Sequence, residues 1–323
     1  MRGWTWETYW LVFGCVSWLI GPWLIATCAV PHPAQVLRDT PTSSLAMCYL
    51  FGALWGIGSL TNGLAIRYLG LSLGYAIPLG LCVALGTLLP PAMDGVFGQL
   101  LKTSSGLTTL ASVLIGILGI AICAKAGIAK DRELSAAEKR SAVGEFNFGR
   151  GMALSILAGV MSACMAFGIA AGKPIADQAL RQGTPVLWQN TPLFAVLLLG
   201  GFTVNGLWCV LLSVRNRTAP EFTKAPGGSL IGNYLLCILA GSLWSLQSLF
   251  YGMGETKLGR YGFAGWSMLM VSIIIFSNMW GLIFGEWRGT STSTKRWILI
   301  GIAVLALSSI LTGYGSYLAQ FES

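Results

Sequence analysis

The stretch GALWGIGSLTNGLAIRYLG at Gly52–Gly70 decides the fold, because the chain repeats it at Gly241–Gly259 as GSLWSLQSLFYGMGETKLG. At a constant offset of 189 residues, eight of the nineteen positions are identical. In the first copy these positions are Gly52, Leu54, Trp55, Ser59, Leu60, Gly63, Leu69 and Gly70. The match indicates two copies of one structural unit, and an internal repeat has to be recognised before a fold is assigned.

Both copies lie in long apolar runs, and the composition places the chain in a membrane. Of the 323 residues, 54% are hydrophobic and 10% are charged, and the mean hydropathy is +0.70. Soluble domains carry about 25% charged residues, so this chain has too few to cover a water-exposed surface. The net charge of +8 comes from basic residues scattered through loops, which excludes a nucleic-acid interface. Two related membrane halves are typical of transporters, which hold a substrate near the midplane.

Nine apolar stretches are long enough to cross the hydrocarbon layer, which takes about 20 residues in a helix. The sequence therefore predicts an all-α integral membrane protein, a polytopic bundle of nine transmembrane helices. The first stretch is too long and too rich in Trp for a cleavable signal peptide. The predicted spans are Thr8–Val30, Ser44–Leu69, Leu71–Ala92, Leu107–Gly127, Gly149–Ala171, Thr191–Val214, Leu230–Met253, Phe263–Gly285 and Arg296–Leu318.

The loops predict the orientation, because Lys and Arg are retained on the cytoplasmic side. Fourteen of these residues fall on the side of the N-terminus and six on the other side. We therefore expect a cytoplasmic N-terminus and, after nine spans, a periplasmic C-terminus.

The repeat divides the chain into residues 1–127, a polar cytoplasmic linker at 128–148, and residues 149–323. The offset maps spans six to nine onto spans one to four and leaves the fifth span without a counterpart. The first half thus has four helices and the second has five. We expect an inverted-topology repeat of ten helices, whose first helix, about 25–40 residues with its loop, is missing from this chain.

Several motifs resemble those of the L-rhamnose–proton symporter family, a branch of the drug/metabolite transporter superfamily. The resemblance covers nearly the whole chain and implies a ten-helix carrier of the bacterial inner membrane that imports a 6-deoxyhexose with a proton. It also implies a start one helix earlier. The motifs are WTWETYW at Trp4–Trp10, FGALWGIG and GLAIRYLGLSLG up to Gly74, GTLLPP at Gly86–Pro91, EFNFGRG at Glu145–Gly151, AAGKP at Ala170–Pro174, GSLWSLQSLFYGMG, AGWSML around Trp266, and GEW at Gly285–Trp287.

A deoxy sugar needs hydrogen-bonding groups for its hydroxyls and an aromatic platform for its apolar face. In the second repeat copy Trp244, Gln247 and Tyr251 share one helical face, and in the first copy Trp55, Ser59 and Asn62 also share one face. We expect both faces to line one central site. On the next-to-last span, Trp266, Asn278 and Ser277 are weaker candidates. The alternative is that the tryptophans form interface belts or pack in the core.

Proton coupling calls for a titratable group inside the membrane. The acidic residues Glu7, Glu255 and Glu286 lie near span ends, and none lies clearly at mid-depth. We single out Glu286 and Glu7, because both stand in motifs that resemble the family. Arg67 and Lys173 are the predicted charge partners.

Three functions stay open at this point: a proton-coupled sugar importer, an uncoupled uniporter or exporter of the same superfamily, and a membrane sensor or scaffold that transports nothing. The absence of a mid-membrane carboxylate favours a uniporter, while the motifs favour the symporter. An enzyme is not expected, since no catalytic constellation, phosphate-binding loop or metal-ligand spacing occurs. We predict no cofactor and no metal; the partners are a small sugar, a proton and the lipid bilayer.

Overall fold

The computed structural model describes residues 3–93, 95, 97–133, 147–285 and 287–322, and for 70–73, 76, 131 and 260 it describes the backbone alone. The regular structure of these residues is helical, without strands. The helices are α1 (Trp6–Gly14), α2 (Gly21–Ala29), α3 (Pro33–Asp39), α4 (Thr42–Met93), α5 (Phe97–Leu100), α6 (Ser104–Glu133), α7 (Phe148–Arg181), α8 (Thr191–Asn216), α9 (Leu230–Glu255), α10 (Gly262–Ile283) and α11 (Thr292–Leu318). A π turn, Cys15–Ile20, joins α1 to α2, and 3₁₀ turns lie at Val186–Trp188, Ala219–Phe222 and Gly259–Tyr261.

Among the described residues, eight helical segments are long and apolar enough to cross a membrane. A ninth apolar helix, Ile77–Met93, is shorter. The predicted fold class, a polytopic helical membrane protein, is confirmed. The eight segments are Trp6–Ala29, Thr42–Leu69, Ser104–Lys130, Phe148–Arg181, Val186–Asn216, Leu230–Glu255, Gly262–Ile283 and Thr292–Leu318.

The second and third predicted spans are joined in α4, which is assigned as one helix of 52 residues. The chain nevertheless turns sharply inside it. A Cβ atom at Gly74 would lie 2.6 Å from Cα of Ile66, whereas eight residues of straight helix span about 12 Å. The apolar segments on either side of this turn, Thr42–Leu69 and Ile77–Met93, correspond to the two predicted spans.

The predicted linker at 128–148 overlaps the end of α6, because that helix continues to Glu133. Residues 134–146 of the linker lie outside the described residues. The predicted division into repeat halves stays a prediction.

By contacts, the chain forms two compact units, and each is built from segments distant in sequence. The first unit contains Met1–Ile57 and Phe167–Thr256; the second contains Gly58–Ala166 and Lys257–Ser323. The long helices α4 and α7 each contribute to both units.

In the first unit, α4 and α8 approach at backbone contact. A Cβ atom at Gly200 would overlap the carbonyl oxygen of Tyr49, and one at Gly52 would overlap that of Leu197. Beside this seam, the Tyr49 hydroxyl donates to Thr203 Oγ1 at 2.9 Å. Small residues are the usual means of close helix packing in lipid, where no hydrophobic force drives helices together.

In the second unit, α6 packs along α11 through hydroxyl groups. Ser308 Oγ donates to the Ser112 carbonyl oxygen, and the Ser112 and Thr312 hydroxyls hydrogen-bond, both at 2.8 Å. At the end of α6, the Glu133 carboxylate accepts from the backbone N–H and the hydroxyl of Ser291, which caps α11. These hydrogen bonds, with one from Thr294, lower the pKa of Glu133.

We expect Gly200→Ala to destabilise the protein, although alanine favours helix by about 1 kcal/mol over glycine. The added methyl group collides with backbone of α4, which cannot rotate away, and overpacking typically costs about 1–3 kcal/mol. The measurement is thermal unfolding of the purified protein in detergent. The matched control is Gly254→Ala on α9, where no described atom lies within 4 Å of the new methyl group. Equal melting temperatures for the two variants would contradict the packing described for α4 and α8.

Candidate functional site

A cluster of aromatic rings joins the two repeat copies inside the first unit. The rings of Trp55 on α4 and Trp244 on α9 lie 5.8 Å apart, tilted by 34°. The Trp18 ring meets each of them edge to face, at 5.7 Å for Trp55 and 5.9 Å for Trp244. Trp10 and Phe13 contact the Trp18 ring in the same manner. The spacing of Trp55 and Trp244 in the repeat predicts a shared site, and their side chains are in contact.

Trp18 is central to this cluster, and sequence reasoning missed it. It is 2% exposed, whereas Trp55 and Trp244 are each partly exposed. Trp18 therefore fills the space behind the two repeat tryptophans and fixes their orientation. Aromatic pairs of this geometry contribute about 0.5–1.5 kcal/mol each beyond the area they bury.

The π turn that carries Trp18 has a local cause in the sequence. Pro22 has no backbone N–H and its ring collides with the carbonyl four residues earlier, which is that of Trp18. The helix widens, and the Gly21 N–H bonds to Val16 O, five residues back. The carbonyl of Ser17 is thereby released, and the Ser245 hydroxyl on α9 donates to it at 2.8 Å. Such π turns are frequent at functional sites.

Asn205 on α8 connects the helices around the aromatic cluster. Its side chain is 2% exposed. Its Nδ2 donates to the carbonyl oxygens of Gly201 at 2.9 Å and Gly56 at 3.3 Å, and its Oδ1 accepts from Trp10 Nε1 at 3.0 Å. One amide group thus ties α1, α4 and α8 together.

The remaining candidates on α9 follow Trp244 along one face. The Gln247 carboxamide and the indole nitrogens of Trp55 and Trp244 make no hydrogen bond to the described residues, so they are available to a ligand. The Tyr251 ring packs edge to face on Phe194 of α8 at 6.0 Å. Phe194 also lines a shallow open cleft. Its wall includes Asn190, Thr191, Phe194, Ser245, Ser248 and Gly252.

Ser59, Asn62, Trp266 and Asn278 belong to the second unit. Asn62 Oδ1 is buried without a hydrogen-bond donor among the described residues. The other two large candidates donate hydrogen bonds within this unit. Trp266 Nε1 donates to the Cys82 carbonyl at 3.3 Å, and Asn278 Nδ2 donates to the Ile274 carbonyl one turn earlier at 2.8 Å. Ser277, another of the weaker candidates, lies beside Asn278 on α10.

The predicted proton-coupling residues have different surroundings. Glu7 is 5% exposed, and its carboxylate accepts from Asn216 Nδ2 at 2.9 Å and from the Thr218 hydroxyl at 3.2 Å. These neighbours are neutral and tie α1 to the end of α8. Glu286 lies outside the described residues. Of the predicted charge partners, Arg67 belongs to the second unit and Lys173 to the first, and both are exposed.

Within the described part of the chain, no three His, Cys, Asp or Glu side chains come close enough together to hold a metal ion. The first unit instead offers aromatic faces, amide groups and hydroxyls. Such a set suits an uncharged polar ligand that also has an apolar face.

Comparison with known proteins gives a consistent match over nearly the whole chain. A family model described as L-rhamnose-proton symport protein matches residues 1–317. The chain is 33% identical over 321 residues to a protein of Mannheimia succiniciproducens and 34% identical over 318 residues to one of Cronobacter sakazakii. A protein of Klebsiella pneumoniae is 33% identical over 318 residues. All three are named L-rhamnose-proton symporter, and each alignment covers 98% of this chain and 91% of the relative.

We expect Asn205→Ala to lower the stability of the protein by about 1–3 kcal/mol, because a buried donor and a buried acceptor lose their partners. The groups left behind are Trp10 Nε1 and the Gly56 carbonyl oxygen. The measurement is the melting temperature in detergent. Leu207→Ala on the same helix is the control, since this side chain is 68% exposed. A loss no larger than that of the control would contradict the bridging role of Asn205.

Proposed function

Because the chain belongs to the L-rhamnose-proton symport protein family, we propose that it imports L-rhamnose together with a proton across the bacterial inner membrane. The observation that carries this proposal is the family match over residues 1–317. The relatives named for this activity are about one third identical over 98% of the chain. The family is one of transporters rather than enzymes, and the helices suit a protein that crosses the membrane many times.

In the proposed binding mode, the apolar face of L-rhamnose, with its methyl group, lies against the exposed parts of Trp55 and Trp244. A sugar ring replaces water there without losing hydrogen bonds, since its C–H groups meet the indole faces. The hydroxyls on the other face are left for Gln247 and Tyr251, which follow Trp244 on α9. Ser59, Asn62, Trp266 and Asn278 stay predictions from the sequence.

The internal repeat supports a proposal of transport by alternating access, because related halves can exchange two arrangements around one site. The Lys and Arg distribution supports a cytoplasmic N-terminus, so that protons and sugar enter from the opposite side. Glu286 and Glu7, with Arg67 and Lys173 as charge partners, stay predictions for proton coupling.

The function is tested with the full chain in cells that lack other L-rhamnose carriers. We expect uptake of labelled L-rhamnose, alkalinisation of the external medium when the sugar is added, and loss of accumulation when an uncoupler collapses the proton gradient. Uptake without a pH signal and unaffected by an uncoupler would mean a uniporter. Absence of uptake by protein shown to be in the membrane would contradict a transport function.

Two substitutions on α9 test the proposed binding mode. We expect Trp244→Ala and Gln247→Ala each to abolish L-rhamnose uptake, because the first removes the platform and the second a hydrogen-bonding group. Both leave an apolar helix, so the amount of protein in the membrane should not change. Leu243→Ala is the control on the same helix, since this side chain is 59% exposed and turned away from the cluster. Normal uptake by both α9 variants would mean that the sugar binds elsewhere.

A further inference from the structure

The last residue of α9 is a carboxylate that the proposed sugar contacts do not use. Glu255 is partly buried in the first unit. Its Oε2 accepts a hydrogen bond from Asn190 Nδ2 at 3.1 Å. The same amide nitrogen donates to the Gly252 carbonyl oxygen at 3.0 Å, and Asn190 is 7% exposed. A buried amide, anchored to the preceding turn of α9, therefore holds this carboxylate in place.

Two titratable groups act on this carboxylate. Lys173, on α7, supplies a positive charge that interacts with it electrostatically. The phenol of Tyr251, one turn earlier on α9, also interacts with its charge. Asn190 and the 3₁₀ turn Val186–Trp188, which packs against α9, bring no further charge.

This arrangement suits reversible binding of a proton. Partial burial disfavours the charged form of the carboxylate, while the ammonium group stabilises that form. Neither the protonated nor the charged form is therefore strongly preferred. When a proton from water binds one oxygen of Glu255, the pair with Lys173 changes from neutral to a single positive charge. When the proton leaves to water, the pair is neutral again. One proton is bound and one is released per cycle, and no covalent bond to carbon is involved.

The position of Glu255 connects this charge change to the sugar. Trp244, Tyr251 and Glu255 lie at i, i+7 and i+11, which is one face of α9. Asn190, the donor to Glu255, also lines the cleft together with Gly252. The surroundings of Glu7 and Glu255 differ. Glu7 accepts hydrogen bonds from neutral groups, whereas Glu255 interacts with a cation and lies on the same face of α9 as Trp244.

We propose that Glu255 takes up the co-transported proton, with Lys173 as its counter-charge and Asn190 as a positioning residue. The inference rests on the proposed function. In the orientation predicted from the loops, this end of α9 faces the periplasm, from which an importer takes its protons.

The test uses the full chain in proteoliposomes with two assays. In the first assay, an external pH one unit below the internal pH drives accumulation of labelled L-rhamnose. With one proton per sugar, the ratio of internal to external sugar can reach about tenfold, because one pH unit is a tenfold ratio of proton activity. The second is exchange of labelled for unlabelled sugar at equal pH, which needs no net proton movement. We expect Glu255→Gln to reduce accumulation to a ratio of one and to retain exchange. Asp39→Asn is the control: its carboxylate is exposed and accepts from Gln182 Nε2.

The outcomes separate this inference from the function on which it rests. If wild-type protein transports no L-rhamnose or moves no proton with it, the proposed function fails and the inference falls with it. If wild-type protein is coupled and Glu255→Gln remains coupled, only the inference is wrong. Loss of both accumulation and exchange by Glu255→Gln present in the liposomes would also overturn it, because the residue would then be needed for transport as such.

A second variant keeps the inference testable if Glu255→Gln does not insert. We expect Lys173→Met to move the pH profile of proton-driven uptake to higher external pH, since proton binding to Glu255 no longer takes place beside a cation. Arg181→Gln, which removes an exposed cation from the end of the same helix, serves as the matched control. A pH profile equal to that of wild-type protein for Lys173→Met would overturn the proposed pair.

Discussion

Backbone polar groups inside a membrane must find partners within the protein, because lipid offers none. The π turn at Cys15–Ile20 breaks the regular hydrogen bonding of the first span and releases a carbonyl group at Ser17. Ser245, on a helix more than two hundred residues later, supplies the missing donor. The irregular turn and its partner helix thus depend on each other, and Trp18 reaches the centre of the aromatic cluster from this turn.

Glycine determines how closely the helices around this cluster can approach. A Cβ atom at Gly201 would lie 2.5 Å from Cζ3 of Trp55, so the absence of a side chain there leaves room for the indole ring. The Trp55 ring lies in that space and contacts Trp244. Asn205, one turn after Gly201, then closes the arrangement with its hydrogen bonds to Trp10 and Gly56. Close packing and the candidate sugar site are therefore consequences of the same small residues.

The spans were predictable because a helix in lipid has to be apolar over its whole length, a pattern that is read directly from the sequence. The repeat also singled out Trp55 and Trp244, since equivalent positions in a duplicated unit take equivalent places. No sequence signal singles out Trp18, because nothing in the sequence says that the first span packs against both repeat copies. The nearest signal is Pro22, which predicts an irregular helix and not the position of a ring.

Pairs of polar groups were the least predictable feature. Glu255 and Asn190 are 65 positions apart, and Asn205 and Trp10 are 195 apart, so no helical period connects them. The two compact units make the same point, since each combines an early and a late segment of the chain.

The sequence by itself determined that this protein is a bundle of membrane helices with a duplicated motif, because apolar length and repeated motifs are local properties of the chain. It also determined the family, because the motifs extend over nearly every span. Only the tertiary structure decided which helices are neighbours. That choice brings Trp18 against both repeat tryptophans and Asn190 to Glu255. It depends on side chains fitting together across helices, which no single stretch of sequence encodes.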